Sequence, residues 1–420
     1  MPARPHPPTM RALEHIAHDE HAALRRAVMT TIALSRQPRL LTGWLAVPSS
    51  ALSLAAGVPR PHRWVRPHGV QAGPLRAPAP RWRAQQHSRH YALRASASAH
   101  EEGLGQELCG RPARVAAITD PHLHFWAPST HAWLRAVLPG GEAHDGPYGR
   151  FAPIARPYTP AMHCAHLAPF APLTKTVYIQ ANMHATTGSP VAETAYMQGL
   201  ADATGHPHGI ISWAPLDKPE EAGAVLDQHA KFANFRGIRF MLDFHPSRPE
   251  LCQADSGAYM ADGGFLRGLR HLEERGLIFE LQLCAVQLKE AAVLAAKLPK
   301  LQIVLNNAGF PLKGEFDSWR AGLAKLAANP NVACKIGGLG AYDGGFDLEA
   351  ARPHVLACFE LFGLERCMFS SNLPVDLVDW PHGPPSARWD TYLAISKGAG
   401  LTPAQLGAVF SDNAVRIYNI

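Results

Sequence analysis

The sequence contains no CxxC pair, and its seven cysteines (109, 164, 252, 284, 334, 358 and 367) are scattered and odd in number. That spacing suits neither a disulfide framework nor a zinc knuckle, so the thiols read as reduced core fillers. Also missing is an unbroken apolar run of bilayer length. The best stretch, residues 40–57, is interrupted by Pro48, Ser49 and Ser50, which argues against a membrane partner. Lysine is absent before Lys175, and acids are scarce at the start of the chain. Residues 1–100 hold fourteen arginines and three acids (Glu14, Asp19, Glu20) and carry +11, leaving −5 for the rest of a chain whose net charge is +6. The arginines are not interleaved with aromatics on any recognisable binding module, so nucleic acid is not an expected partner.

This division by charge is also a division by pattern. Residues 1–104 show no sustained periodicity, and segments such as "RPHRWVRPHGVQAGPLRAPAPRWRAQQ" bury too little apolar surface to offset the entropy of ordering them. An Arg-rich, acid-poor, Ser-containing leader is the pattern of an organellar transit peptide, plastid or mitochondrial, with "YALRASASAH" as its processing region. The alternatives are a disordered extension, or a start at Met10 or Met29 with a cytoplasmic protein.

From residue 105 onward, short β-branched runs alternate with amphipathic stretches. Eight strands are predicted: 114–120, 175–182, 208–217, 235–242, 277–283, 302–309, 331–339 and 366–373. Helices fall between the later ones, one opening at Ser189-Pro190 with the serine as N-cap, another at Thr402-Pro403. Eight such repeats over 105–420 predict a (β/α)8 TIM barrel; a doubly wound open sheet is the alternative. Polar residues end nearly every strand: His122, Gln180, Asp217, Arg239, Gln282, Asn307, Lys335 and Asn372. In a barrel these ends converge on one mouth. The long connection between strands one and two, rich in aromatics, His and Arg, reads as a lid that brings Arg156 or Tyr158 to a substrate.

Six ordered motifs add a resemblance. Asp120-Pro-His122-Leu-His124-Phe-Trp126, "SPVAETAYMQGLADATG" (189–205), "FRGIRF" (235–240), "LNNAGFP" (305–311), "MFSSNLPVD" (368–376) and the closing "SDNAVRIYNI" together resemble the amidohydrolase-superfamily lactonases. That group includes sugar-acid lactonases and the 2-pyrone-4,6-dicarboxylate lactonase. The resemblance implies a barrel that hydrolyses a lactone or small carboxylic ester, with a decarboxylase or a catalytically silent small-molecule binder as the other readings. It covers roughly residues 114–420.

Lactone hydrolysis needs an activated water and a group that polarises the carbonyl. Alternation along a strand puts His122 and His124 on one face, as zinc ligands or, without metal, as groups that position water. Arg236 and Arg239 face opposite sides; Arg239 is the carboxylate grip and Arg236 a structural ion pair. Gln180, Gln282 and Asn307 are expected to contact substrate. The resemblance implies His on strand six and Asp on strand eight, where this chain has Asn307 and Asn372. Amides are poor zinc ligands and cannot take a proton near neutrality. Asp376 is therefore a substitute base, and Asp120 a residue that orients an imidazole. No organic cofactor is called for. The partners are a small carboxylic substrate and, as an open alternative, a second copy of the chain in a homo-oligomer.

Overall fold

The computed structural model describes residues 115–141, 147–339, 347–378 and 383–420. The leader, residues 1–104, lies outside the described residues. The eight strands are β1 (Ile118–Leu123), β2 (Leu173–Ile179), β3 (Gly209–Ser212), β4 (Phe235–Met241), β5 (Ile278–Gln282), β6 (Ile303–Leu305), β7 (Val332–Ile336) and β8 (Cys367–Phe369). Each pairs in parallel with the next, in sequence order. The seam between β8 and β1 is closed past the end of β8: the Asn372 amide donates to the His122 carbonyl at 2.9 Å, and the His124 amide to the Leu373 carbonyl at 2.8 Å. The Asp120 carboxylate adds a bond from the Ser371 amide at 3.1 Å. The fold is the expected TIM barrel.

The principal helices are α1 (Pro160–Leu167), α2 (Ala192–Thr204), α3 (Pro219–His229), α4 (Gly263–Glu274), α5 (Leu288–Lys297), α6 (Phe316–Ala327), α7 (Leu348–Phe362), α8 (Ala387–Gly398) and α9 (Asn413–Tyr418). Capping chemistry sets several starts: the side chains of Thr159, Asp262 and Asp347 accept from the first-turn amides of α1, α4 and α7. Thr402-Pro403 opens a short helix with a full capping box, as expected. Ser189 does not cap. Its backbone carbonyl accepts from Ala192 at 3.4 Å, and α2 begins after Val191 with no side-chain cap. Strand one is also displaced from its predicted 114–120. Pairing with β2 runs from Ile118 to Leu123, so His122 lies inside the strand and His124 just beyond it. None of the described cysteines is in a disulfide, and no helix among the described residues is long and apolar enough to cross a membrane.

Alternation along the strands sorts the lumen into layers. The lowest is apolar: Ile211, Ile278, Val304, Ala333 and Met368 form one buried cluster with Ala414 and Tyr418 of α9. The closing "NAVRIYNI" thus plugs the barrel floor. One step up, Glu280 of β5 and Lys335 of β7 are fully buried and 2.7 Å apart. Lys335 also donates to the Pro121 carbonyl at 3.0 Å. Glu280 accepts from Asn306 at 2.7 Å and from the Tyr418 hydroxyl. Gly237 belongs to this tight interior, because a Cβ there would lie 2.2 Å from the Ile278 carbonyl oxygen.

Candidate active site

A cleft of about 620 Å³ opens at the C-terminal ends of the strands, the end of a TIM barrel where catalytic groups collect. Its inner end is polar: His124, Arg239, Gln282, Asn307 and Asn372 line it. Arg239 rises from β4 and is 6 % exposed. One terminal nitrogen donates to Gln282 Oε1 at 2.7 Å and the other to the Gln180 carbonyl. Its Nε has no hydrogen-bond partner among the described residues. Every group it hydrogen-bonds among the described residues is neutral; burial opposes its charge, and the charges of Glu280, Asp243 and Glu193 partly offset this without hydrogen bonding it. The Gln282 amide is used at both ends, because its nitrogen donates to Asp243 Oδ2 at 2.9 Å. Burial pushes the Asp243 carboxyl up to about 6, partly countered by that hydrogen bond.

His124 Nδ1 lies 2.8 Å from the Ile179 carbonyl. A carbonyl only accepts, so Nδ1 carries the hydrogen and the neutral ring keeps its lone pair on Nε2. Burial, then the charge of Arg239, holds this imidazole down to about 3. Asn372 is a further hydrogen-bond partner of the ring that favours its charged form. The ring is stacked on Trp126, 5.6 Å between centroids. His122 lies one layer below, fully buried and off the cleft surface, 5.3 Å from His124 between centroids. Both its ring nitrogens lack hydrogen-bond partners among the described residues. Burial, followed by the Lys335 charge, holds it neutral.

Asparagine recurs at the mouth for a backbone reason. Asn182, Asn307 and Asn372 have φ of 61°, 49° and 53°, the left-handed region in which Asn is enriched. At the end of β6 the whole run Asn307, Ala308, Gly309 and Phe310 is left-handed. It turns the Asn307 amide into the cleft against Gly338, where a Cβ would lie 2.8 Å from that amide carbon.

Other expected site residues are placed elsewhere. Gln180 is fully buried off the cleft, its Oε1 accepting from the Asn182 amide at 2.8 Å. Tyr158 does not reach the mouth. Its hydroxyl is 3.0 Å from both His163 Nδ1 and His166 Nδ1, and its backbone pairs with Trp126. Arg156 is exposed and outside the cleft. The long connection does wall the cleft, through Trp133, Arg150 and Phe151 instead. Asp376 is not among the residues lining the cleft: it forms a buried ion pair with Arg388 and accepts from the Asn372 amide nitrogen. Asp120 does orient an imidazole, but that of His163, at 3.1 Å. Among the described residues Arg236 makes no ion pair; it donates to the carbonyls of Ala233, Phe235 and Asn419.

Two contributors escaped the sequence reading. Buried Glu193 at the start of α2 clamps the loop after β2, accepting from the Ala181 amide, from Met183 at 3.0 Å and from the Tyr178 hydroxyl at 2.6 Å. Its place in "PVAET" was the available signal. The aromatic walls come from separate parts of the chain: Phe240 and Phe310 fall in the quoted motifs at 235–240 and 305–311, whereas Trp213 and Tyr259 belong to none.

A family model for amidohydrolases matches residues 119–420. The chain belongs to the amidohydrolase family. It is 34% identical over 316 residues to an uncharacterised protein of Sinorhizobium fredii, covering 72% of this chain and 99% of that protein. It is 26% identical over 318 residues to an L-fucono-1,5-lactonase of Burkholderia multivorans, covering 71% and 95%. The barrel resembles that of a zinc-bound amidohydrolase from Burkholderia multivorans, with a TM-score of 0.58 and 24% identity over 73% of this chain and all of that one.

Members of the family often bind a divalent metal, and one similar structure holds zinc. A catalytic zinc takes three protein ligands and an open position. His122 and His124 supply two imidazoles, and among the described residues no group of three His, Cys, Asp or Glu is placed to hold an ion. Asp120 and Asp376 are turned to His163 and Arg388. Two buried cations, Lys335 and Arg239, bear on both imidazoles. The residues present do not make a zinc set.

Proposed function

We propose that this amidohydrolase opens a lactone or small ester that carries a carboxylate, without routing the chemistry through a metal. The observation that carries the reading is Arg239, a buried guanidinium bonded only to neutral groups beside the Nε2 lone pair of His124. Burial opposes the guanidinium charge more than the neighbouring Glu280, Asp243 and Glu193 favour it, and a substrate carboxylate on Arg239 adds a direct counter-charge. It also offsets the Arg239 charge that weakens His124 as a base.

In this reading the scissile carbonyl lies near the Asn307 amide and the Trp126 indole N–H, which is buried without a partner among the described residues. Nε2 of His124 takes a proton from the attacking water. The resulting imidazolium is held by the Ile179 carbonyl on one side and the Asn372 amide on the other. Collapse of the tetrahedral intermediate breaks the acyl–oxygen bond, and the leaving alkoxide receives the same proton from His124.

A lactone panel followed with a pH indicator tests this. His124→Ala is expected to lower kcat by roughly 10²–10⁴-fold, the usual worth of a general base. Dialysis against a chelator is expected to leave the rate unchanged; loss of activity that zinc restores would return a metal to the mechanism. No turnover of any lactone by folded protein would remove the hydrolase reading.

A further inference from the structure

The cleft lining combines polar side chains with a set of aromatic rings. The buried polar atoms of lining residues that lack partners among the described residues are Arg239 Nε, Asn307 Oδ1, Trp126 Nε1 and His184 Nδ1. The half-buried rings Trp133, Phe151, Trp213 and Tyr259 stand beside Asn182, Arg150, Gln253 and Asp255, and two of these rings have their own polar atoms spent. The Trp133 indole N–H donates to the Ala181 carbonyl at 2.9 Å, and the Tyr259 hydroxyl donates to Asp255 at 2.6 Å. The walls are also braced. Trp133 stands edge-on to Trp126 at 5.3 Å, and Phe151 stands edge-on to Trp133 at 6.3 Å. His184 lies flat against Trp213 at 4.1 Å. Yet Trp133, Phe151, Trp213 and Tyr259 remain only half-buried.

The polar atoms of Trp133 and Tyr259 are engaged within the protein, so what these walls offer a ligand is the flat faces of their rings. A flat apolar group covers aromatic surface that otherwise faces water. The volume, about 620 Å³, belongs with pockets that enclose drug-sized ligands rather than a single small ring. We propose that the substrate has two parts: a carboxylate-bearing lactone or ester head on Arg239, and an aryl group held between the walls contributed by Trp133 with Phe151 and by Trp213 with Tyr259. This rests on the hydrolase reading for the head and on the walls alone for the aryl group.

Calorimetric titration of the full chain with two hydroxy acids, 4-hydroxybutanoate and 4-hydroxy-4-phenylbutanoate, tests it without turnover. The phenyl compound is expected to bind about tenfold tighter or more. Trp213→Ala and Phe151→Ala, with folding checked by circular dichroism, are each expected to bring that ratio towards one. Equal affinities, no binding of either acid, or a ratio unmoved in both variants would overturn the proposal. Two lactones that keep a free carboxylate, 5-oxotetrahydrofuran-2-carboxylate and its 3-phenyl derivative, separate the two readings. Phenyl preference without hydrolysis of either lactone removes the hydrolase and keeps the aryl site. Hydrolysis of both without preference does the reverse.

Discussion

At the scale of single residues, Arg239 separates function from stability. Its desolvation is a cost to the folded state that a bound carboxylate repays. Arg239→Gln is therefore expected to weaken binding of a carboxylate ligand by roughly 10- to 150-fold, the worth of a hydrogen bond to a charged group. The same change is expected to leave resistance to urea unchanged or raised. Calorimetry and urea unfolding on one preparation check both halves; lost stability with unaltered binding would make Arg239 structural. Asp376 behaves oppositely. Asp376→Ala removes the buried ion pair with Arg388 and the Asn372 amide's bond to its carboxylate. A stability loss of about 3–5 kcal/mol is expected, read as an earlier urea midpoint. In the sequence Arg239 and Asp376 looked alike, two charges near strand ends. Only the partner, neutral amide or buried cation, tells them apart.

At the scale of elements, the period of two along a strand correctly assigned faces but said nothing of depth. His122 and His124 share a face as expected, yet one is sealed under the floor of the cleft and the other lines it. Lys335 was read as a polar strand end at the mouth and is instead the middle of the lumen, because its long side chain reaches Glu280 across the axis. Lys335→Met is expected to cost about 3–5 kcal/mol by leaving Glu280 buried and unpaired, and the double variant Lys335→Met with Glu280→Gln to recover much of it. Equal losses in single and double variants, measured by denaturant unfolding, would show that packing rather than pairing holds that layer. The lid assignment failed at residue level for a similar reason. Tyr158 carries a hydroxyl suited to substrate, but its backbone is paired to Trp126 and its side chain points to His163.

At the scale of the whole molecule, the order of elements was legible because eight short strands with helices between them leave few architectures. The inner end of the cleft was legible as the converging polar strand ends, whereas its aromatic walls were not, since they are assembled from segments far apart in the chain. Histidine burial gives the molecule a pH response. His124 is held down to about 3, and His131 and His229 to about 4, by burial above all. Unfolded histidines titrate near 6.5, so below that pH the unfolded chain binds protons that the folded chain refuses. Stability is thus intact above about 6.5 and falls as pH drops towards 4, by roughly 2 kcal/mol at pH 5 for each histidine kept neutral. Asp243, raised to about 6, works against this: folded protein holds its proton where unfolded chain has lost it. Urea midpoints from pH 8 to pH 4.5 are expected to decline; a flat profile would show that the imidazoles reach water.

The buried guanidinium in the cleft has a practical corollary for anyone who assays the protein. A dehydrated cation open to solvent on one side competes for whatever small anions the medium supplies. Citrate or phosphate at ten times its dissociation constant from that site would raise an apparent KM about elevenfold by mass action, with no change in kcat. A weak reaction measured in such a medium would therefore report the salt in the tube, and a bulky zwitterionic medium is the fair starting point.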